Sequence, residues 1–349
     1  MIDNASKVQG VHLVGSVPLE SSVAVFTLAS THLGRYLRRI PDGETSTRRY
    51  WITWQGPLIH GMAQFEETTM MGGMDIPPYR KYPLLRIRPG VTADEIVFPP
   101  LGYSAAALAS YREFAQLKRE GVIPTPVRFQ VCLPTPIAPI LQTFVLEDQP
   151  IVEAAYEMGM LTELNEILTA IPAEELAIQW DTAVEFVILE GLIQTYLANP
   201  ETDLLGRLVR IGNQVPAAVE LGYHLCYGDI AHRHFKEPED MSKLVRVANG
   251  IAAGLTRPLT WIHMPVPRDR TDAAYFAPLK QLKLGAATEL YLGLVHYTDG
   301  MAGTQQRIQA AQQVITDFGV ATECGLGRRP AETIPDLLAI HAAVAAPVR

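Results

Sequence analysis

Short apolar runs alternate with longer amphipathic stretches along most of this 349-residue chain. Eight of the runs are rich in β-branched and aromatic residues and are bounded by turn residues, a pattern that predicts β-strands. These eight runs are residues 11–15, 37–44, 127–133, 176–181, 221–228, 259–265, 290–296 and 319–324. Near-continuous apolar strands that alternate with helices are typical of a parallel sheet covered on both faces. Eight such strands predict an α/β fold of the (β/α)8 TIM-barrel type.

A long segment after the second predicted strand, at about residues 54–100, interrupts this alternation. It is rich in Pro, Gly and Met, as in MMGGMDIPPYRKYP (70–83), and LLRIRPGVTADEIVF (84–98) predicts a β-hairpin. The segment leaves the predicted barrel on the side where active sites lie, so we interpret it as a lid or substrate-binding insertion. A surface excursion or an oligomer contact is the alternative. The remaining pattern predicts one barrel domain over residues 1–349.

Composition and charge narrow the classes of function. Hydrophobic residues make up 48% of the chain and charged residues 19%, which is enough apolar material for one large core. The net charge of −8, without a long basic run, argues against binding to nucleic acids or acidic membranes. No apolar run of about 18 residues predicts a membrane span, and the N-terminal MIDNASKVQG lacks a signal-peptide pattern, so we expect a cytoplasmic protein.

The cysteine content limits the chemistry further. The chain has three cysteines, Cys132, Cys226 and Cys324, an odd number in a long sequence, which argues against a disulfide framework. In a reducing compartment, cysteines near histidines suggest thiolate chemistry or metal binding. We interpret Cys132, within FQVCLPTP, as an inert core residue.

Each predicted strand stops at or beside a polar or ionisable residue. Catalytic groups of (β/α)8 barrels come from the carboxyl ends of the strands, which meet at one mouth of the barrel. The residues at these ends are Ser16, Asp42, Glu44, Thr135, Asp181, His224, Cys226, His263, His296 and Cys324. We therefore predict that this face of the barrel carries the chemistry of the protein.

The stretch HLC on the fifth predicted strand combines two side chains that bind metals. His224 and Cys226 point to the same face, because residues i and i+2 of a strand do so. Imidazole nitrogen and thiolate sulfur are ligands that Zn2+ takes. Cys324 and His263 end two other strands at the same mouth and are candidates for the remaining ligands. The alternative, a hydrogen-bonded core histidine beside a buried thiol, stays open from the residues alone.

These motifs resemble the C-terminal catalytic barrel of the cobalamin-independent methionine synthases and their smaller zinc-dependent relatives that alkylate thiols. HLCYG and ECGLGRR resemble the H-x-C pair and the late Cys-Gly that bind zinc in that family. HLVGSVP, PDGETSTRRYW and CLPTP resemble segments that contact its substrates. IQWDTAVEF resembles the strand end with an aspartate on the pterin side, and GLVHYTDG the strand with the proton-donor histidine. The likeness spans most of residues 10–330, in short matches.

The resemblance implies a zinc-dependent methyl or alkyl transferase that activates a thiol substrate. Zn2+ is the implied cofactor, and a small-molecule thiol and an alkyl donor, of which a folate is one candidate, are the implied partners. The implied zinc ligands are His224, Cys226 and Cys324, with His263 as a fourth ligand or a neighbour where the synthases have a glutamate. The implied catalytic residues are His296, which protonates the leaving group, and Asp181, which holds the donor.

Five further residues are candidates for substrate binding. They are Gly15, Ser16, Glu44, Thr135 and Arg328. Arg328 comes from GLGRR, which we interpret as an anion contact near the metal. Departures from the family pattern at Val17, Thr182 and Ala183 leave the identity of the thiol and of the donor open.

Other functions remain as alternatives. A lyase or decarboxylase of the uroporphyrinogen-decarboxylase type would use Asp181, His296 and the arginines on a carboxylated substrate and would not require zinc. A metal-binding protein without turnover would hold zinc without a substrate-sized cavity. The pair His232 and His234, in AHRHF, follows the fifth strand in a loop. We interpret it as a solvated or substrate-loop feature rather than a metal pair.

Overall fold

The computed structural model describes residues 8–73, 80–230 and 232–348. The strands within these ranges are β1 (Val8–Gln9), β2 (Arg39–Pro41), β3 (Phe65–Gly73), β4 (Lys81–Ile87), β5 (Arg128–Pro134), β6 (Leu176–Thr182), β7 (Glu220–Leu225), β8 (Trp261–Pro265), β9 (Glu289–Val295), β10 (Gly319–Thr322) and β11 (Ala345–Ala346). The helices are α1 (Ser22–Leu33), α2 (Gly56–His60), α3 (Tyr103–Arg119), α4 (Ile137–Leu141), α5 (Gln149–Ala170), α6 (Val184–Leu189), α7 (Pro200–Gly212), α8 (Ser242–Gly254), α9 (Ala273–Phe276), α10 (Gly300–Gln312) and α11 (Ile334–Val344).

Parallel strands form the central sheet, in the order β10-β9-β8-β7-β6-β5-β2. The chain around Val11 closes the space between the two ends of this sheet. Val11 makes parallel bridges to Leu37, just before β2, and to Val320 in β10. The backbone N–H of His12 donates to the carbonyl of Val320 at 2.9 Å. The predicted (β/α)8 barrel is thereby confirmed.

The first predicted strand, residues 11–15, is shorter than expected. Only Val11 pairs as a strand residue, because the backbone carbonyl of Val14 accepts hydrogen bonds from side chains in the barrel interior and not from a neighbouring strand. The carbonyl of Val14 accepts hydrogen bonds from the side chains of Gln179 and Cys132, at 2.5 and 3.3 Å. The segment is thus held by side chains, and it leaves the ladder in order to line the mouth of the barrel.

The helices cover the sheet with apolar stripes of helical period. In α7, Leu204, Leu208 and Ile211 are buried at positions i, i+4 and i+7, which face the strands. Pro200 begins the helix at a position where its missing N–H costs nothing. The core formed by the strands and such stripes contains most of the buried hydrophobic side chains among the described residues.

The amino ends of the strands close the other end of the barrel with an ion-pair network. Arg39, only 1% exposed, donates to Glu220 at 3.0 Å and to Glu289 at 2.9 Å. Its guanidinium lies 4.1 Å from the centroid of a Trp261 ring. Gly222 leaves the space for this indole, since a Cβ there would lie 1.9 Å from it. Substrates must therefore enter from the carboxyl ends of the strands.

The insertion after β2 contains a hairpin, but not where the sequence predicted it. β3 and β4 pair in antiparallel fashion over residues 65–87, and β4 ends at Ile87. The predicted return strand does not form, because Pro89 and Gly90 begin a turn and the segment from Thr92 to Glu95 forms a capping box on a short 3-10 helix. Residues 74–79, part of the Met- and Pro-rich stretch, lie outside the described residues.

No helix in the described part of the chain is both long enough and apolar enough to cross a membrane.

Candidate metal centre and substrate cavity

Three side chains with metal-binding atoms meet at the carboxyl ends of β7 and β10. His224 lies in β7, Cys226 follows it, and Cys324 follows β10. One ligand atom from each lies within 4.8 Å of the others. The two sulfur atoms are 3.6 Å apart. This group was predicted from the HLC and CGLG motifs, and the structure brings its members together in space.

A chain of hydrogen bonds orients the imidazole of His224. The Nε2 of His263 lies 2.9 Å from the carbonyl of Thr322, which can only accept, so Nε2 carries the proton. The Nδ1 of His263 then accepts from the Nδ1–H of His224 at 2.6 Å. Burial lowers the pKa of His263 to about 3 and that of His224 well below its ordinary value, so both rings are neutral. The remaining nitrogen, Nε2 of His224, is left with a lone pair.

The residues present fit a zinc ion. Nε2 of His224 is buried and has no hydrogen-bond partner in the structure, as expected of a nitrogen that binds a metal ion. Two Zn–S bonds of about 2.3 Å at a tetrahedral angle would separate their sulfur atoms by about 3.8 Å, close to the observed distance. One nitrogen and two sulfur donors form a set that borderline-soft Zn2+ prefers.

A cavity of about 660 Å³ opens beside this group. It is of the size that holds small molecules. Its walls are mainly apolar and include Trp51 and the hairpin residues Gly72, Gly73 and Leu84. The residues predicted to carry the chemistry that line it are Gly15, Ser16, Glu44, Asp181, His224, Cys226, Cys324 and Arg328.

The loop after β2 brings Glu44 into the cavity through strained backbone. Glu44 and Ser46 have positive φ angles of 45° and 62°. Asp42 holds this conformation: its Oδ1 accepts from the backbone N–H of Glu44 at 2.8 Å, and its Oδ2 accepts from Arg48 at 2.7 Å. Strain that neighbouring hydrogen bonds maintain is typical of functional loops. Arg48 thus forms its ion pair with Asp42, the residue that also holds the backbone of Glu44.

The loop after β10 packs directly on the first-strand turn. The backbone N–H of Leu326 donates to the carbonyl of Ser16 at 2.6 Å, and that of Gly327 donates to its hydroxyl at 3.3 Å. A Cβ at Gly325 would lie 2.5 Å from the Ser16 hydroxyl. The glycines of GLGRR therefore allow close approach of two backbones, and this contact places Cys324 and Arg328 next to Ser16.

Two carboxyl groups in the cavity wall, those of Glu44 and Asp181, have raised pKa values. Burial raises the pKa of Glu44 to about 7, against the nearby charge of Arg48. Burial, followed by the charge of Glu44, raises the pKa of Asp181 well above its usual value, although Gln179 donates to Asp181 at 2.9 Å. A bound cation or hydrogen-bond donor that contacts these carboxyl groups would lower the free-energy cost of ionising them.

Three predicted site residues are not among the described residues that line the metal cavity. His263 lies behind His224, with both ring nitrogens in protein hydrogen bonds. Thr135 is 2% exposed and lies beside the buried Glu185, whose pKa burial raises to about 7. His296 is 3% exposed, and its Nε2 donates to the carbonyl of Val266 at 2.9 Å.

Two acidic residues near the metal group, Glu323 and Asp229, were not singled out from the sequence. Glu323, beside Cys324, has its Oε2 3.4 Å from Nδ1 of His296 and its Oε1 3.3 Å from Arg329. Asp229 and His234 line the metal cavity. The AHRHF pair was visible in the sequence, but its loop folds back on the strand end, since the N–H of Phe235 donates to the carbonyl of Tyr227 at 2.9 Å.

A second cavity, of about 480 Å³, adjoins the first and shares the residues Trp51, Gly73, Gln142, Ile230 and Arg328 with it. Its other walls include Tyr50, Tyr82 and His60. Trp51 has a φ of 61°, and its indole N–H is buried without a hydrogen-bond partner. A strained aromatic residue therefore stands between two adjoining cavities, one of which borders the metal group.

Comparisons with known proteins bear on the fold. No protein-family model and no curated protein matches the sequence. A B12-independent methionine synthase from a Shewanella species, solved in complex with selenomethionine, is similar in structure over 97% of both chains, at 12% identity and a TM-score of 0.59. A protein from Listeria monocytogenes, provisionally named a vitamin-B12 independent methionine synthase, matches over 97% of this chain and 98% of that one, at 14% identity and a TM-score of 0.56.

A methyltransferase from Methanosarcina mazei matches over 97% of this chain and 94% of that chain, at 12% identity and a TM-score of 0.50. All three similarities extend over nearly the whole chain. At such low identity they support the barrel architecture, and the function has to be argued from the site.

Proposed function

We propose that this protein is a zinc-dependent transferase that moves a methyl or other alkyl group from a donor to a small-molecule thiol. The observation that carries the proposal is the group of His224, Cys226 and Cys324 in the wall of a substrate-sized cavity. Structural zinc sites are closed by four protein ligands, whereas catalytic sites have three and an open position. Three ligands beside a cavity favour the catalytic class.

Zn2+ held by these residues would supply a charge that lowers the pKa of a substrate thiol, so that the thiol loses its proton near neutral pH. The chain provides the positioning. Glu44 and the turn at Gly15 and Ser16 would bind the polar end of the thiol substrate, and Arg328 an anionic part of it. Asp181, on the strand next to that of His224, would hold a polar or cationic part of the donor.

The donor would approach from the second cavity. Its shared wall with the metal cavity would let a bound molecule extend towards the thiol, and its aromatic residues suit a donor with a flat ring, of which a folate is one. The selenomethionine in the Shewanella structure carries a methylated selenium, which supports methyl transfer to a chalcogen as the class of reaction.

Removal of the metal tests this function directly. With homocysteine or 2-mercaptoethanol as the thiol and methyl iodide as a probe donor, we expect the zinc-loaded protein to form the thioether at least about tenfold faster than the protein after chelation. Product formation is measured by mass spectrometry. Equal rates before and after chelation would contradict the proposal and would favour a reaction that does not need zinc.

We also propose that His263 orients His224 and is not a fourth ligand. Replacing His263 with phenylalanine removes the acceptor for Nδ1–H of His224, and losing a hydrogen bond that orients a metal ligand typically costs about 10- to 100-fold in metal affinity. His263→Asn, whose side-chain oxygen can accept in place of Nδ1, should recover part of the affinity. Competition with a chromogenic zinc chelator measures both variants.

A direct ligand would behave differently. If His263→Phe lost as much affinity as a variant that lacks one of the cysteines, and His263→Asn recovered none of it, His263 would be a ligand.

A further inference from the structure

We propose that His234 is the acid–base group of the proposed transfer: it takes the proton from the substrate thiol and returns it to the leaving atom of the donor. The inference rests on the proposed function and assigns a proton carrier within the metal cavity. His234 belongs to the loop between β7 and α8, eight positions after Cys226. It lines the metal cavity, and its side chain is only 2% exposed.

The hydrogen bonds of His234 prepare one nitrogen as a base. Its Nδ1 lies 2.9 Å from Oε2 of Glu237, and the bond to this histidine is the main cause that lowers the pKa of Glu237, so the carboxylate accepts and Nδ1 carries the proton. Nε2 therefore holds a lone pair. This nitrogen is buried and makes no hydrogen bond in the structure. A carboxylate behind an imidazole fixes its tautomer and stabilises the protonated ring.

Several ionisable side chains surround His234. Glu323 faces it from the end of β10, with Oε2 3.7 Å from Nε2. Beyond Glu323 lie Arg329 and His296, and Asp229 lines the same cavity. Glu237 holds Nδ1, so Nε2 is the ring nitrogen of His234 that would exchange a proton with a molecule bound in the metal cavity.

His296, the proton donor implied by the sequence resemblance, is less well placed for direct transfer. It is not among the residues that line the metal cavity, its Nε2–H is engaged by the carbonyl of Val266, and its Nδ1 faces Glu323. Glu323 thus lies between His296 and His234. We assign His296 a positioning role behind Glu323, and we assign the contact with substrates to His234.

The transfer returns His234 to its starting state. The thiol R–SH transfers its proton to Nε2 of His234, and its sulfur electron pair forms a bond to the alkyl carbon of the donor R′–X. The bond between that carbon and X breaks, and X leaves with the electron pair. Nε2–H then transfers the proton to X, which leaves as X–H. The net reaction is R–SH plus R′–X giving R–S–R′ plus X–H, and His234 is restored.

Proton release on thiol binding tests the assignment without turnover. Zinc-loaded protein is titrated with 2-mercaptoethanol at pH 8, and calorimetry in phosphate and in Tris gives the number of protons released to the buffer. Because a thiol that binds a metal gives up a proton, we expect His234→Gln to release about one proton per thiol bound, and the wild-type protein far less, since His234 retains it.

Two further variants distinguish a proton carrier from a residue that only supports the loop. His232→Asn, in the same loop, is the matched control, because asparagine tolerates the left-handed backbone of His232 (φ 57°); it should behave as wild type. Glu237→Gln leaves His234 in place but weakens its hold on the proton, and should release an intermediate amount. If His234 only supported the loop, none of these proton counts would change.

The outcomes separate the two proposals. Equal proton release by wild type, His234→Gln and Glu237→Gln, with zinc and thiol bound in all three, would overturn the role of His234 and leave the proposed function intact. Absence of zinc from the wild-type protein would contradict the proposed function itself, and the role of His234 with it.

Discussion

Replacing Cys324 with serine is expected to lower the affinity of the protein for Zn2+ by a factor of about one hundred or more. Structural zinc sites with four protein ligands are worth about 10–16 kcal/mol at neutral pH, so an equal share for one ligand is about 2.5–4 kcal/mol. A hydroxyl is a poor substitute for a thiolate at a soft metal. The measurement is zinc content after dialysis, followed by competition with a chelator.

The chain offers a matched control for this substitution. Cys132 has its sulfur 3.3 Å from the carbonyl of Val14 and does not belong to the metal group. Cys132→Ser should therefore bind one equivalent of zinc as tightly as the wild-type protein does. If Cys324→Ser bound zinc as well as Cys132→Ser, the ligand assignment would be wrong.

The second large effect is expected at the closed end of the barrel. Replacing Arg39 with leucine removes the buried cation that Glu220 and Glu289 share, so that only the more exposed Arg128 and Arg38 remain paired with them. It also removes the group that stacks on Trp261. Breaking a buried ion pair by removing one partner typically lowers the free energy of unfolding by about 3–5 kcal/mol. Urea denaturation followed by circular dichroism measures the change.

Arg38 provides the control for Arg39. It pairs with the same carboxylate, Glu289, at 2.6 Å, but its side chain is 38% exposed. An exposed ion pair contributes about 0–1 kcal/mol. Arg38→Leu should therefore change the free energy of unfolding by no more than this amount. A similar loss for both variants would mean that burial does not govern the strength of the network.

The barrel could be predicted because each strand carries a local signal. Runs such as LAIQWD are apolar throughout, as expected for strands that are buried on both faces, and they lie between helices with a regular apolar stripe. The carboxyl ends of parallel strands meet at one mouth, so the polar residues there could be expected to converge. The pairing of Asp181 with His224, and of His224 with His263, on neighbouring strands follows from that geometry.

The features that the sequence did not predict depend on long-range contacts. Which nitrogen of His224 is free depends on the carbonyl of Thr322, which lies on another strand and acts through His263. His234 was assigned to a loop correctly, but only the fold of that loop and the carboxylate of Glu237 distinguish it from the exposed His232. The hairpin was predicted at the wrong place because a Pro-Gly pair is typical of a hairpin turn, whereas Pro89 and Gly90 follow the end of β4.

X-ray absorption at the zinc edge, recorded on the purified protein before and after addition of homocysteine, is expected to show the thiol binding to the metal. Before addition we expect two sulfur ligands and at least one imidazole nitrogen, from Cys226, Cys324 and His224. After addition we expect one further sulfur ligand in the wild-type protein. Protein without stoichiometric zinc, or a sulfur count that does not change with the thiol, would contradict the proposed function.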